Sequence, residues 1–170
     1  KLSGFYQYIV EHINTGKPFI GICLGMQLLF DESEEFGQYS GLGLFKGKVK
    51  RLLGDGPSGN KVKVPHIGWN ALYRSQSTPD WRSLVLQGLT DGDEVYFVHS
   101  YIPHPEDDSV SVGTMNYGDC SYSVVVENDN VAGVQFHPEK SGPIGLRVYE
   151  NFVKHMVAGS VTNLPPKDIS

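Results

Sequence analysis

Pro18-Phe19-Ile20-Gly21-Ile22-Cys23-Leu24-Gly25-Met26-Gln27-Leu28-Leu29-Phe30 is the stretch on which the reading of this chain turns. Phe19, Ile20 and Ile22 form a short apolar run behind Pro18, the pattern of a strand buried in a parallel sheet. Gly21, Cys23 and Gly25 then spell G-x-C-x-G, and Met26 to Phe30 read as the start of a buried helix. A nucleophile on a tight strand-to-helix turn needs small neighbours, because the backbone there is strained and crowded. The turn lifts the sulfur clear of the sheet. It also aims the first helical amides at the same spot, where they favour a thiolate and a developing oxyanion. A buried structural cysteine between packing glycines would satisfy these three residues equally well.

A second segment separates the two readings. Val134-Gln135-Phe136-His137-Pro138-Glu139 offers a base and an acid two residues apart after an alternating apolar run. In extended backbone, residues i and i+2 point to the same side, so Glu139 can orient His137. A thiol, an imidazole and a carboxylate from separated segments are the parts of a Cys-His-Glu triad.

Gly21-Ile22-Cys23-Leu24-Gly25-Met26-Gln27 and Phe136-His137-Pro138-Glu139 together resemble the class I (triad) glutamine amidotransferases. Val64-Pro65-His66-Ile67-Gly68-Trp69-Asn70, Tyr96-Phe97-Val98-His99-Ser100-Tyr101 and Lys140-Ser141-Gly142 are similar to the glutaminase component of imidazole glycerol phosphate synthase, of histidine biosynthesis. The resemblance runs from residue 1 to about residue 157. It implies an α/β, flavodoxin-like fold: a mainly parallel central sheet, helices on both faces and an attached antiparallel portion. Cys23 would attack the side-chain amide of L-glutamine, His137 would move the proton and Glu139 would orient His137. The Leu24 amide would receive the oxyanion, and Gln27, Ser100 and Tyr101 would hold the amino-acid end of the substrate.

The same resemblance places Pro65, His66, Gly68, Trp69, Asn70, Tyr96 and Lys140 beside the active site, on the face that meets a (β/α)₈ cyclase or synthase. Ammonia would pass into that partner and be built into imidazole glycerol phosphate, with an aminoimidazole carboxamide ribotide as co-product. No metal and no cofactor is implied. Related amidotransferases carry a glycine-rich upstream segment that completes the oxyanion hole. Residues 1–159 are therefore expected to be an N-terminally incomplete glutaminase domain, and 160–170, rich in Ser, Thr, Asn and Pro, a tail or linker. Two alternatives stay open: a glutaminase feeding a sugar or nucleotide amidotransferase, and a catalytically silent docking subunit.

The remaining sequence bounds these expectations. At 170 residues the chain suits one domain. The net charge of −5, with acids and bases interspersed, argues against nucleic acid. Two cysteines, Cys23 and Cys120, make no disulfide framework, and the chain reads as cytoplasmic. No apolar run spans a membrane.

Locally, Phe5, Tyr8, Ile9 and Ile13 predict a helix over 4–14, and Leu146, Tyr149, Phe152, Val153 and Met156 one face of another over 142–156. The acidic cluster Asp31 to Glu35 reads as a solvated helix end. Residues 44–53 read as a strand, Val62 and Val64 as a half-exposed one, and Pro65 to Asn70 as a loop. Glu94 to Ile102 reads as one continuous strand, 109–117 and 121–127 as neighbouring strands, and Val131 to Phe136 as the strand delivering His137. The elbow strand is expected at the centre of its sheet, with parallel neighbours on both sides. His99 and His104 read as structural, and Cys120 as a bystander in a turn.

Overall fold

The structure is a computed structural model that describes residues 4–54, 58–59, 61–77 and 83–162, with side chains as far as Val157. In chain order its elements are α1 (Phe5–Asn14), β1 (Phe19–Ile22), α2 (Leu24–Leu28), β2 (Phe30–Ser33), β3 (Tyr39–Ser40), β4 (Phe45–Arg51), β5 (His66–Ala71), β6 (Tyr73–Arg74), β7 (Glu94–His99), β8 (Tyr101–Pro105), β9 (Ser111–Tyr117), β10 (Cys120–Asn128), β11 (Val131–Val134) and α3 (Gly142–Thr162). Short 3₁₀ turns cover Asp108–Val110 and Pro138–Lys140. The result is an α/β fold with mixed sheets.

Strand β1 pairs in parallel with β11, and the register sets Gly21 opposite Gly133 and Ile22 opposite Val134. The five-stranded sheet runs β1-β11-β10-β9-β6, and a four-stranded sheet runs β3-β2-β4-β8. Among the described residues, parallel pairing is confined to β1–β11 and β2–β4. The antiparallel portion is thus larger than the sequence suggests, because β9, β10 and β11 follow one another through short turns, and such turns enforce antiparallel neighbours. Nor is β1 central: it lies at the end of its sheet's strand order, with one parallel neighbour among the described residues.

Glycines let α2 lie down on this pair. A Cβ on Gly21 would come within 2.6 Å of the Gly25 carbonyl group, and one on Gly133 within 2.8 Å of Met26 Cγ. Met26, Leu29, Phe30, Phe45 and Val49 form the apolar cluster around the elbow. A larger cluster includes Leu72, Leu86, Phe97, Met115, Val134, Phe136 and Val148.

Five local expectations are corrected. The segment Pro65 to Asn70 is not a loop: from His66 it is strand β5, antiparallel to β7. Its stabilising partner lies far along the chain, where no local pattern reveals it. The expected strand through Ile102 breaks at Ser100, and β8 leaves β7 to pair with β4. Val62 and Val64 belong to no strand. The acidic cluster begins in β2, where Asp31 meets Lys46 at 2.9 Å and Glu32 meets Lys48 at 2.8 Å. Finally, α3 buries Val148 and Asn151, while Leu146, Val153 and Met156 are exposed; in α1, Ile13 is buried but Phe5 and Tyr8 are not. Asp55 to Asn60, which read as a turn by composition, lie largely outside the described residues, and so does the tail beyond Thr162.

Candidate active site

Parallel register makes the site. With Ile22 level with Val134, the next residue of each strand continues side by side, and the Cys23 amide donates to the Val134 carbonyl at 2.8 Å. Cys23 therefore emerges beside Gln135, two residues ahead of His137, at the carboxyl ends of parallel strands, where α/β folds place their ligands. Its backbone sits at φ 50°, ψ −106°. For a residue with a Cβ this is a strained conformation, costing about 1–3 kcal/mol and held by the surrounding structure.

Burial pushes the Cys23 thiol up from its ordinary pKa. The Leu24 amide and the Gln135 side chain pull it back, while the Glu139 and Glu35 carboxylates push it further up. With five residues, α2 acts through this first amide rather than through a long helix dipole. The Gln135 Nε2 donates to Sγ at 3.5 Å, and the thiol faces the Val98 carbonyl at 3.9 Å.

The acid–base half is held tightly. His137 Nδ1 meets Glu139 Oε1 at 2.7 Å. The His137 amide donates to the Tyr96 carbonyl at 2.9 Å, and the His137 carbonyl accepts from Ser141 Oγ at 2.7 Å. Ser141 Oγ in turn accepts from the Tyr96 amide at 3.0 Å. The other ring nitrogen, His137 Nε2, is buried and has no hydrogen-bond partner among the described residues. The thiol and the imidazole thus share a site without being bonded to each other.

Gln27 is buried, and its Nε2 donates to the Tyr101 carbonyl at 2.9 Å and to Gln135 Oε1 at 3.1 Å. Both amide hydrogens are engaged, so the group left for a ligand is the Gln27 carbonyl oxygen. Ser100 and Tyr101 lie at the β7–β8 break, beside Gln27 through the Tyr101 carbonyl. That carbonyl also accepts from His99 Nδ1 at 3.0 Å. Burial pushes His99 down to about 4, and it lowers His66 as well.

The residues expected on one outward face divide. Strand alternation turns Ile67 and Trp69 outward, both more than half exposed. Trp69 packs edge-on against Tyr96 at 6.0 Å between centroids, and Lys140 Nζ lies 5.7 Å from the Tyr96 ring. Pro65 is exposed, and Gly68 and Asn70 are half-buried. The Asn70 side chain donates to the Asn116 carbonyl at 3.0 Å. His66 turns inward, 4% exposed, between Phe97 and Tyr117, so it offers no surface to a partner.

Sequence reasoning missed Gln135 and Ser141 as parts of this site. The signal for Gln135 was a lone amide inside an apolar strand, on the same side as His137. A hollow of about 560 Å³ lined by Ser83, Leu84, Gln87 and Glu127 shares none of these residues. Its Glu127 carboxylate is already bonded to Ser83 Oγ and to the Leu84 and Val85 amides. Among the described residues no three His, Cys, Asp or Glu side chains cluster as metal ligands, and no helix is long and apolar enough to cross a membrane.

Residues 2–156 match the family model described as glutamine amidotransferase class-I. The imidazole glycerol phosphate synthase subunit HisH of Syntrophotalea carbinolica is 49% identical over 151 residues, covering 88% of this chain and 70% of that protein. Subunit HisH of Aquifex aeolicus is 51% identical over 144 residues, covering 85% of this chain and 64% of that one. A crystal structure of a glutamine amidotransferase from Thermotoga maritima superposes with a TM-score of 0.56 at 19% identity, covering 94% of this chain and 57% of that one. At that identity the likeness bears on the fold alone.

Proposed function

The chain belongs to the class-I glutamine amidotransferase family, and on that premise we propose that it is the glutaminase subunit of an imidazole glycerol phosphate synthase, serving histidine biosynthesis. One observation carries the reading. The β1–β11 register sets a strained Cys23, with the Leu24 amide at its sulfur, beside the segment that bears the 2.7 Å His137–Glu139 pair.

In this reaction Sγ turns from the Val98 carbonyl to the unpartnered Nε2 of His137, which takes the thiol proton. The thiolate adds to the side-chain carbonyl carbon of glutamine, and the Leu24 amide receives the oxyanion. The carbon–nitrogen bond then breaks as His137 returns its proton to the leaving nitrogen, releasing ammonia and leaving a γ-glutamyl thioester. Water, deprotonated by His137, attacks the thioester; glutamate leaves and the thiol is restored. Glu139 keeps the imidazole oriented throughout. Gln27 offers its carbonyl oxygen to the substrate's ammonium group.

A synthase partner meets the outward face of Ile67, Trp69, Tyr96 and Lys140. Strand β7 links that face to the chemistry, because its Tyr96 carbonyl holds the His137 amide and its Val98 carbonyl faces the Cys23 thiol. The test is glutamine hydrolysis with and without the synthase, together with labelling by a glutamine-mimicking electrophile. Hydrolysis and selective labelling of Cys23 over Cys120 are expected. Equal labelling of the two cysteines, with no hydrolysis in the complex, overturns the assignment.

A further inference from the structure

The buried side chains behind Cys23 form a chain of hydrogen bonds whose direction is set at one point. The Tyr101 carbonyl can only accept, so the Gln27 atom 2.9 Å away must be the amide nitrogen. That nitrogen also lies 3.1 Å from Gln135, so the facing Gln135 atom must be its oxygen. The Gln135 nitrogen is then the atom 3.5 Å from the Cys23 sulfur. A rotated Gln135 amide would set nitrogen against nitrogen and oxygen against sulfur. On the other side, the same carbonyl fixes His99 as the Nδ1–H tautomer, and its Nε2 accepts from His66 Nδ1 at 3.4 Å.

Gln135 is fully buried, and a carboxamide removed from water must find partners or lose about 1–3 kcal/mol. Its two contacts provide them, and they leave the amide little freedom to turn. A fixed N–H aimed at sulfur interacts more strongly with a thiolate than with a thiol, since hydrogen bonds to charged groups are roughly twice as strong as neutral ones. We propose that Gln135 is a positioning residue: locked by Gln27 and the Tyr101 carbonyl, it donates an amide hydrogen to the Cys23 sulfur and stabilises the thiolate that forms when the thiol proton leaves. This rests on the reading of Cys23 as the nucleophile.

The experiment follows the rate of Cys23 alkylation by iodoacetamide against pH in the full chain, with the modified site read by peptide mass. Gln135→Met keeps the volume and removes the donor. Gln135→Glu keeps the shape and the acceptor facing Gln27 but sets an oxygen against the sulfur. The midpoint should rise by about one pH unit in Gln135→Met, roughly a tenfold loss of thiolate at a fixed pH, and further in Gln135→Glu. A purely structural role would lower the melting temperature and leave the midpoint in place. An unchanged midpoint in whichever variant folds, or a lower one in Gln135→Glu, overturns the proposal. Because alkylation needs no glutamine turnover, an inactive wild type with a shifted midpoint would sink the glutaminase reading and leave Gln135's role standing.

Discussion

His137 and Cys23 lie at the ends of adjacent strands, yet their surroundings treat them differently. His137 is bonded through its amide, its carbonyl and one ring nitrogen, to Tyr96, Ser141 and Glu139. Cys23 has a fixed backbone but a sulfur facing Val98 and Gln135 rather than the imidazole. The imidazole is braced, and the thiol is not. The difference teaches where regulation can enter: on the proposed reading, the thiol is the less constrained of the two side chains, while His137 is braced on three sides. An enzyme that must not release ammonia before an acceptor is ready gains from holding back this component.

The comparison breaks most visibly at the sulfur itself. Cys23→Ala should lower glutamine hydrolysis by about 10⁶-fold, since nucleophile and base act as one unit. Cys23→Gly should be equally inactive but more stable than Cys23→Ala, because glycine accepts φ 50° without the steric cost. A melting temperature for Cys23→Gly at or below that of Cys23→Ala would remove the claim of strain at the elbow.

His137 and Glu139 give the next effect. His137→Ala should cost at least about 10⁴-fold in turnover. Glu139→Gln should cost only about 10–10²-fold: the carboxylate is half exposed, and the His137 backbone stays pinned by Tyr96 and Ser141 without it. Steady-state rates for the two variants check the order. Equal losses would mean that Glu139, not the backbone, holds the base.

How far the sequence foretold this contrast depended on how local each determinant is. The elbow and the His-Pro-Glu segment were legible because their chemistry needs particular residues at short spacing, and α3 and the β9–β10 hairpin because their periodicity is local. Strand β5 was not legible. Gly68 and Asn70 look like turn residues until β7, 23 residues beyond Ala71 at Glu94, supplies a partner. The break at Ser100 was hidden for a related reason: β7 and β8 share composition, and only the separate partners β5 and β4 divide them. Gln135 was passed over because its role depends on register with Cys23, which no single segment contains. The buried face of α3 escaped because its exposed Leu146, Val153 and Met156 look as apolar as its core residues.

Acid should loosen the nucleophile's side of the site through His99. Its folded-state pKa, about 4, lies below the ordinary 6.5, so the unfolded chain binds the extra proton first. Stability is therefore full above about pH 6.5 and falls as pH drops from there toward 4, by up to about 3 kcal/mol. His66 and His137 face the same ring and act in the same direction on it. Half-buried Glu127, raised by desolvation instead of lowered, opposes the trend from elsewhere in the fold. Urea midpoints measured across this range for wild type and His99→Asn isolate the effect as a difference. The variant should show the flatter profile, and parallel profiles would place the acid sensitivity elsewhere.

The smallest effect is expected at Lys140, and it tests whether the outward face speaks to the waiting sulfur. The ammonium lies 5.7 Å from the Tyr96 ring, an exposed cation–π contact worth about 0.5–1 kcal/mol. Lys140→Met should therefore change the melting temperature little. It should nevertheless reach the chemistry, because Tyr96 carries the contact on one side of β7 and its carbonyl holds the His137 amide, two residues before the carbonyl that faces Cys23. A partner pressing on Trp69, Tyr96 and Lys140 presses on that strand. Hydrolysis by the variant alone should then fall by less than hydrolysis stimulated by the synthase, with the difference appearing in kcat rather than in KM for glutamine. If both rates fell by the same factor, Lys140 would be acting only on the isolated subunit, and the route from the outward face to the thiol would have to run through some strand other than β7.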